Sequence, residues 1–600
     1  MRMPQPATEP AAPGDPASGG HDGPGDPADA QHLNGGAPAG DAPAGDAPAG
    51  DAPAGATLTD STPAGATLTD STPAGSASAG RQRGYAPLAL AGLGLIRRHW
   101  LASALLTAGL ALRVATQMAY HPAIVYIDSL KYLYGAWPGA DPVGYKIPLK
   151  LILAFGDLGT VALIQHLLGL AIAVTIYVVL LRRGAPRWLG ALAMAPVLLD
   201  GYQLQAEHMI MPDVWFEAMI VAGLAVLLWD QVPRLRMLII GSLILGGATG
   251  LRQAGEILIV PALILAIALG GGWRKVLGNM FAAGLAFVVA VGLYMVASAE
   301  LTGHFRVSES SNSLTYGRMA SVANCATLRL PAAERPLCPS PAEQAKGPDR
   351  LDHDATSPLK VYRAQYLAHG GTAGAYGNLV AKFNRAVERQ QPLRVISGIW
   401  RDAVKLFAVS RVTSSGDTPI WRWQFQGNFP SYLPYILIRH NAIVVALPQS
   451  GTAPNGQPLG PKLEVLKPAY GGAPQVDKPI ADFLRSYQLG GGYTPGPLLL
   501  LFTLTGLAGS LLAFARRRLT PERRQLVFGC VAFFSAAVAI LAISDAFEFT
   551  WRYQLPALVT LPPAGALGIG ALIAFARRSR RQATADAMPE RAAELATPAT

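Results

Sequence analysis

Charged residues are scarce in this chain of 600 residues: they make up 14% of it, whereas hydrophobic residues make up 51%. Soluble domains typically carry about 25% charged residues. The apolar residues fall in runs of about 20, the length that crosses a hydrocarbon core of roughly 30 Å. Continuous runs indicate helices, because the strands of a membrane barrel would alternate apolar and polar residues. The sequence therefore predicts an all-α polytopic membrane protein.

Cysteine is nearly absent as well, with three residues in the whole chain. Cys530 lies inside an apolar run, where we expect it to be inert packing. Cys325 and Cys338 share a polar segment that we place outside the cytoplasm, so a disulfide between them is expected. No CxxC or CxxH pattern is present, and the sequence assigns no metal ligands.

Apolar side chains are also lacking in residues 1–80, which contain the repeat Asp-Ala-Pro-Ala-Gly three times in register at 41–55. This stretch holds ten acids and one Arg, so its net charge is −9. Because the whole chain carries +11, residues 81–600 carry +20. Such a composition predicts a disordered tail, and no apolar core follows a basic start as in a signal peptide. The basic excess of the remainder lies in short loops between apolar runs, which argues for membrane topology and against nucleic acid as a partner.

Ten apolar runs are predicted to span the membrane. They cover about 100–119, 158–181, 187–205, 211–229, 236–251, 255–271, 277–298, 495–515, 525–543 and 554–576.

Clusters of Arg and Lys occupy every second loop between these runs. They are Arg97-Arg98, Arg182-Arg183 with Arg187, Arg234 with Arg236, Arg274-Lys275, Arg516-Arg517-Arg518 with Arg523-Arg524, and Arg577-Arg578 with Arg580-Arg581. Cytoplasmic loops carry the excess of Lys and Arg, so we expect both termini to lie in the cytoplasm. The expected location is the plasma membrane.

The predicted organisation has five parts. They are a disordered low-complexity cytoplasmic tail at 1–80, a module of seven spans at 95–298 with its first outer loop at 120–157, an extracytoplasmic domain of mixed helix and loop at 299–494, a module of three spans at 495–576, and a cytoplasmic tail at 577–600.

Asp128 follows the first span by about nine residues, in a loop dense with Tyr126, Tyr132 and Tyr134. Ionisable groups near membrane spans are candidates for function. A carboxylate here can take a proton from an acceptor hydroxyl. The structural alternative is a helix N-cap, because Asp128-Ser129 precedes the helix-compatible Leu-Lys-Tyr-Leu.

The turn between the third and fourth spans holds Asp200, Glu207, His208 and Asp213 within fourteen residues, on the face predicted for Asp128. Pro212 can open the fourth span, which places Asp213 at a helix N-terminus where the macrodipole favours a carboxylate. This clustering indicates a functional site, and the alternative is simple electrostatics of a helix end.

Two arginines stand on the outer side, against the positive-inside trend: Arg252 in Gly250-Leu-Arg and Arg552 in Trp551-Arg-Tyr. A guanidinium at that depth can hold a phosphate with two hydrogen bonds. The alternatives are an ion pair of Arg252 with Asp213 or Glu217, and an interfacial aromatic anchor around Arg552.

These positions, in order along the chain, resemble the motifs of GT-C membrane glycosyltransferases, in the branch of the protein O-mannosyltransferases and lipid A aminoarabinose transferases (glycosyltransferase family 39). Members carry an acid in the first outer loop, as at Asp128, followed by Gly-Tyr-x-x-Pro, as at 144–148. An acid opens span four, as at Asp213, a Gly-Leu-Arg-like turn follows span five, and Arg-Tyr-x-x-Pro precedes a late span, as at 552–556. The resemblance covers roughly 95–300 and 495–576 and points to an actinobacterial member.

The resemblance implies a polyprenyl-phosphate-linked sugar as donor and a hydroxyl on a lipid, glycan or protein as acceptor, with inversion at the anomeric carbon on the outer membrane face. Membrane lipid is the other expected partner. Many members have an acidic pair where this chain has Asp128-Ser129, so a divalent cation stays an open alternative and no cofactor is assigned. We assign Asp128 as the general base and place Asp213 and Glu207 in catalysis with it. Arg252 and Arg552 are assigned to the donor phosphate. The expected substrate contacts are Tyr132, Tyr145, His208 and Tyr553.

Two other classes of protein are alternatives to an enzyme. A transporter or lipid flippase often shows internal repeats and spans broken near the midplane, whereas here the polar groups cluster at one face and no repeat relates the two modules. A scaffold that displays 299–494 would not require the outward arginines.

Overall fold

The computed structural model describes residues 94, 96–133, 142–231, 234–308, 311–428, 436–439, 442–447, 462–465, 471–472, 474–514 and 520–595. The predicted tail at 1–80 and the last five residues of the tail at 577–600 lie outside these ranges.

Helices make up nearly all of the regular structure in the described residues. They are α1 Trp100–Ala119, α2 Ser129–Leu133, α3 Lys146–Leu153, α4 Leu158–Arg182, α5 Arg187–Leu199, α6 Gly201–His208, α7 Asp213–Leu227, α8 Leu235–Gly247, α9 Ile259–Ala268, α10 Trp273–Thr302, α11 Ser311–Val322, α12 Pro341–Gln344, α13 Gly347–His353, α14 Pro358–Ala368, α15 Ala373–Gln390, α16 Pro392–Ala403, α17 Lys478–Leu489, α18 Gly496–Leu511, α19 Pro521–Phe547 and α20 Pro556–Leu595. Short 3₁₀ turns cover Ala248–Gly250, Gln253–Leu258, Arg335–Leu337, Val404–Phe407 and Ile420–Trp423.

Five short strands complete the described structure. They are β1 Tyr120–His121, β2 Ile436–Arg439, β3 Ala442–Leu447, β4 Lys462–Val465 and β5 Gln475–Val476. β2, β3 and β4 form an antiparallel sheet in that order. β1 pairs antiparallel with β5, Tyr120 opposite Val476, which joins the end of the first span to the chain just before α17.

The prediction of an all-α polytopic membrane protein is confirmed. Six helices of the described chain, α1, α4, α10, α18, α19 and α20, are long and apolar enough to cross a membrane. A helix also stands at each of the four other predicted spans: α5, α7, α8 and α9, of 13, 15, 13 and 10 residues.

The predicted third span at 187–205 is broken, which corrects the sequence interpretation. α5 ends at Leu199, and Asp200 caps a second helix, α6, by accepting a hydrogen bond from the backbone N–H of Tyr202 at 3.0 Å. A capping carboxylate satisfies an N–H that has no partner within the helix. The break matters because α6 and the N-terminus of α7 then lie together at one end of the bundle, with Ile124 pairing to Met209.

Residues 316–395 bury their own smaller core, whereas Leu406, Ile420, Trp423 and Phe425 belong to the core of the spans. Tyr316, Leu337 and Phe383 are fully buried within it. Cys325 and Cys338, the pair expected from the sequence, are joined by a disulfide at its edge. This segment has enough apolar surface to pack as a unit beside the spans.

Candidate functional site

Four charged residues that are far apart in sequence meet at one end of the helical bundle. Asp128 lies just before α2, Asp213 opens α7, Arg252 follows the 3₁₀ turn after α8, and Arg552 lies just before α20. Arg552 and Asp128 are 424 residues apart, yet Arg552 Nη1 donates to Asp128 Oδ2 at 2.5 Å. The break after α5 and the short α8 bring these loops together.

Arg552 is the centre of the group. Its Nε and Nη2 donate to Asp213 at 3.1 and 2.9 Å while its Nη1 holds Asp128, so one guanidinium bridges two carboxylates. Arg252 Nη1 donates to Asp213 Oδ1 at 2.5 Å, the same oxygen that Arg552 Nε bonds. Lys131 Nζ lies 3.1 Å from Asp128 Oδ1. The alternative of an ion pair between Arg252 and Asp213 is thus present in the structure, while Glu217 accepts from Gln203 instead.

Aromatic rings hold the two guanidinium groups in place. Arg552 lies 5.5 Å from the ring centre of Trp423 and 5.9 Å from that of Tyr126. Arg252 lies 4.5 Å from the ring centre of Tyr553. Contacts of a cation with an aromatic face are attractive and limit its rotation. The arginines are therefore oriented before any ligand arrives.

Burial and charge act in opposite directions on Asp128. Burial would raise the pKa of Asp128, but the charges of Lys131 and Arg552 outweigh it and hold this pKa below its usual range. Asp128 is therefore an ionised carboxylate when the site is empty of ligand, and it becomes a stronger base only if its cations are drawn to another anion.

These residues, apart from Asp213, form one wall of a cavity of about 690 Å³; Asp213 is buried and does not line it. Asp128, Lys131, Arg252, Arg552 and Tyr553 all line it. The volume is in the range of small-molecule sites, whose few convergent polar groups fix a ligand's orientation.

A second wall of the cavity comes from α13 and the residues that follow α19. His353 Nδ1 lies 3.3 Å from Asp349 Oδ1 and 3.6 Å from Asp352 Oδ2. Desolvation opposes a charge on His353, but its hydrogen bond to Asp349 and the charge of Asp352 raise its pKa to about 9. Burial, with the negative charge of Asp349, raises the pKa of Glu548 to about 8. This wall therefore changes charge near the upper end of the physiological pH range.

Three residues that the sequence assigns to the site are placed elsewhere. Glu207 is fully buried and accepts from Arg113 Nη2 at 2.6 Å, with His166 Nδ1 at 3.0 Å from its other oxygen. His208 is buried between His166 and the carbonyl of Tyr120.

Tyr145, the third of them, is fully buried. Its hydroxyl donates to Gln165 Oε1 at 2.8 Å, and its ring packs edge-on against Tyr132. None of Glu207, His208 and Tyr145 lines the cavity. Their contacts brace α1, α4 and α6 against each other, and a direct role in catalysis or substrate binding stays a prediction. Tyr132 and Tyr553 do line the cavity.

Sequence reasoning missed the contribution of the polar segment 299–494. Arg422 and Trp423 reach the cavity from a 3₁₀ turn, and Trp423 Nε1 donates to Thr550 Oγ1 at 3.0 Å. Arg411 forms a buried ion pair with Asp200 at 2.7 Å, which fixes this stretch to the break after α5. The sequence feature that could have indicated this contribution is the motif Trp421-Arg422-Trp423, which is similar to Trp551-Arg552.

Among the described residues, no group of three or more His, Cys, Asp or Glu side chains is arranged to hold a metal ion. The carboxylates of Asp128 and Asp213 form ion pairs with Lys131, Arg252 and Arg552.

No protein-family model matches the chain, and no curated protein matches it in sequence. Three solved structures resemble it in fold. The Pmt1-Pmt2 protein O-mannosyltransferase of S. cerevisiae, bound to its sugar donor, matches with 13% identity and a TM-score of 0.29, over 38% of this chain and 36% of that one. The archaeal oligosaccharyltransferase AglB of Archaeoglobus fulgidus, with an inhibitory peptide and a dolichol-phosphate, matches with 11% identity and a TM-score of 0.33, over 82% and 52%. ArnT of Cupriavidus metallidurans, bound to undecaprenyl phosphate, matches with 14% identity and a TM-score of 0.26, over 78% of each chain.

The chain spans about one third and one half of the length of the first two. Because these superpositions are loose, we derive the function from the geometry of the site alone.

Proposed function

We propose that the protein is a membrane glycosyltransferase that moves a sugar from a polyprenyl-phosphate carrier to a hydroxyl acceptor on the extracytoplasmic face. The observation that carries the proposal is the convergence of Asp128, Arg252 and Arg552 on one wall of a cavity at the end of the spans, with the buried Asp213 bonded to both arginines. A lipid-linked donor needs its phosphate held at that level, where its polyprenyl chain can remain in the bilayer.

The charges of this wall suit a phosphodiester. Lys131, Arg252 and Arg552 face two carboxylates, Asp128 and Asp213, so one positive charge remains. A sugar phosphodiester carries one negative charge. The phosphate gains a second charge as it leaves, and oriented cations stabilise charge that develops in a transition state.

The proposed reaction uses Asp128 as general base. The acceptor hydroxyl gives its proton to the Asp128 carboxylate, its oxygen attacks the anomeric carbon, and the bond from that carbon to the phosphate oxygen breaks with its electron pair on the phosphate. A bound phosphate competes for Arg552 and Lys131, which weakens their hold on Asp128 and raises its basicity. Base and donor site are thereby coupled.

The test is transfer of labelled sugar from a panel of polyprenyl-phosphate sugars by the purified protein in proteoliposomes, with lipid, glycan and peptide hydroxyls as acceptors. We expect the wild type to transfer from at least one donor and Asp128→Asn to lose roughly 100-fold or more, as for removal of a general base. Full activity of Asp128→Asn would remove Asp128 as the base. Failure with every donor, together with accumulation of a solute inside the vesicles, would favour transport instead.

A further inference from the structure

α16 exposes a stripe of large apolar side chains on the side that faces away from the protein. Leu393 is 80% exposed, Ile396 60% and Trp400 68%, with Val404 continuing the stripe in the next turn. Residues three and four apart lie on one face of a helix, so these four form a single line. The opposite face, with Val395 and Asp402, is buried against the protein.

The 3₁₀ turn Val404–Phe407 that continues α16 lies directly against the start of a membrane span. A Cβ on Gly496, the first residue of α18, would stand 2.1 Å from the carbonyl oxygen of Ala408 and 2.4 Å from the carbonyl carbon of Phe407. α16 itself packs against α19. The apolar stripe is therefore at the level where α18 begins, and α18 presents its own exposed leucines, among them Leu501 and Leu504.

We propose that α16 lies in the membrane surface at the cavity end of the bundle, with Leu393, Ile396, Trp400 and Val404 buried among lipid headgroups and upper acyl chains. Lipid is favoured over a protein partner because the stripe ends at the turn that packs against the start of α18, a predicted span whose leucines are exposed. An interfacial helix typically combines Trp and Leu on one side with Lys or Arg beside them. Arg401 is exposed beside the stripe and can meet anionic headgroups, whereas Arg394 donates its Nε to the carbonyl oxygen of Val322 at 2.7 Å.

This placement connects the membrane surface to the cavity. Asp402, on the protein side of α16, forms an ion pair with Arg318 of α11, and Arg318 also donates to the backbone carbonyl of Asp545 at 2.9 Å. Ser313 and Leu314, at the start of α11, line the cavity. Lipid beneath α16 thus supports a helix that lines part of the cavity, and the proposal is independent of the reaction proposed above.

The test places single cysteines for spin labels at exposed positions, where folding tolerates them. Ile396→Cys and Trp400→Cys probe the stripe, and Val361→Cys on α14, 43% exposed, is the matched control in the same segment. The native cysteines do not compete for label, since Cys325 and Cys338 are bonded to each other and Cys530 is buried. Power saturation in proteoliposomes then compares relaxation by oxygen, which concentrates in lipid, with relaxation by a water-soluble nickel chelate.

We expect labels at 396 and 400 to be relaxed several-fold more by oxygen than by the nickel chelate, and the label at 361 to show the reverse. We also expect the difference at 396 and 400 to increase when phosphatidylglycerol replaces part of the phosphatidylcholine. Labels at 396 and 400 that behave like 361 in both lipid mixtures would overturn the proposal and point to a protein partner for the stripe. The outcome does not depend on whether any sugar is transferred.

Discussion

At the scale of single residues, Arg552 is distinguished by the shape of its side chain. Three of its nitrogens bond two different carboxylates, which a lysine ammonium cannot reproduce. We therefore expect Arg552→Lys to lower kcat/KM for the donor by roughly 100-fold, the effect of losing one oriented donor at a transition state. The matched control is Arg234→Lys, an exposed arginine paired with Asp230, which should leave transfer unchanged. Equal activity of both variants would show that charge alone suffices at 552.

Glu548 and Asp128 line the same cavity but should behave differently with pH. The pKa of Glu548 is raised to about 8, so it is neutral at pH 7 and becomes negative as the pH rises through 8. A new negative charge beside the phosphate site should slow the wild type above pH 8. We expect Glu548→Gln to match the wild type below pH 7 and to lose this alkaline decline, whereas Asp128→Asn should be slow at every pH.

The test measures the rate of sugar transfer from pH 6 to 9.5 for the wild type and for both variants. An alkaline decline that persists in Glu548→Gln would assign it to another group, and His353, with a pKa raised to about 9, is the nearest alternative. Inactivity of Glu548→Gln at pH 6 would instead make the Glu548 carboxyl itself essential.

Residue types alone could nominate the site but could not pair its members. Outward arginines and helix-end acids stand out in a membrane protein because each is costly there. The sequence could not show that Asp213 holds both arginines, nor that Glu207 is taken up by Arg113 inside the bundle. Pairing depends on contacts between residues 39, 94 and 339 positions apart, which no local pattern shows.

At the scale of helices, apolar run length was sufficient to locate ten helices, because backbone groups in lipid must bond within their own helix. The break at Asp200 was not predictable from that rule. Its partner Arg411 lies 211 residues later, in a polar stretch with no recognisable pattern. The position of Asp200 at the end of an apolar run indicated that its carboxylate needs a polar partner, but it did not identify that partner.

Close contact between α18 and the turn after α16 gives an element-scale prediction. Any side chain at Gly496 would collide with the backbone at Phe407 and Ala408, so Gly496→Ala must displace one of them. We expect a loss of roughly 1–3 kcal/mol, as for overpacking elsewhere, seen as a lower apparent Tm in detergent. Gly377→Ala within α15 is the control, because a Cβ there meets nothing within 4 Å. It should leave the Tm unchanged or slightly higher, since Ala favours helix over Gly. A Tm equally unaffected in both variants would show that the two backbones can separate without cost.

At the scale of the whole molecule, the site exists only because both groups of spans and the segment between them contribute to it. Asp128 and Arg252 come from the first group, Arg552 precedes the last span, and Arg422 comes from the segment between. Composition predicted the membrane class from the sequence. The cavity required the three-dimensional arrangement, because the walls of a cavity are set by helix packing rather than by any local pattern.

The orientation of the molecule is the remaining prediction at this scale, and it follows from charge. The basic clusters between spans predict that the turn before α10 faces the cytoplasm and that α14 faces outside. Gly272→Cys and Val361→Cys place one thiol on each side: both positions are exposed, a Cβ at Gly272 meets nothing within 4 Å, and no basic residue is lost. In intact cells, a membrane-impermeant maleimide should label position 361 at once and position 272 only after permeabilisation. The reverse pattern would place the cavity on the cytoplasmic side, where a lipid-linked donor would have to be presented from the inner leaflet, and the extracytoplasmic reaction proposed here would be wrong.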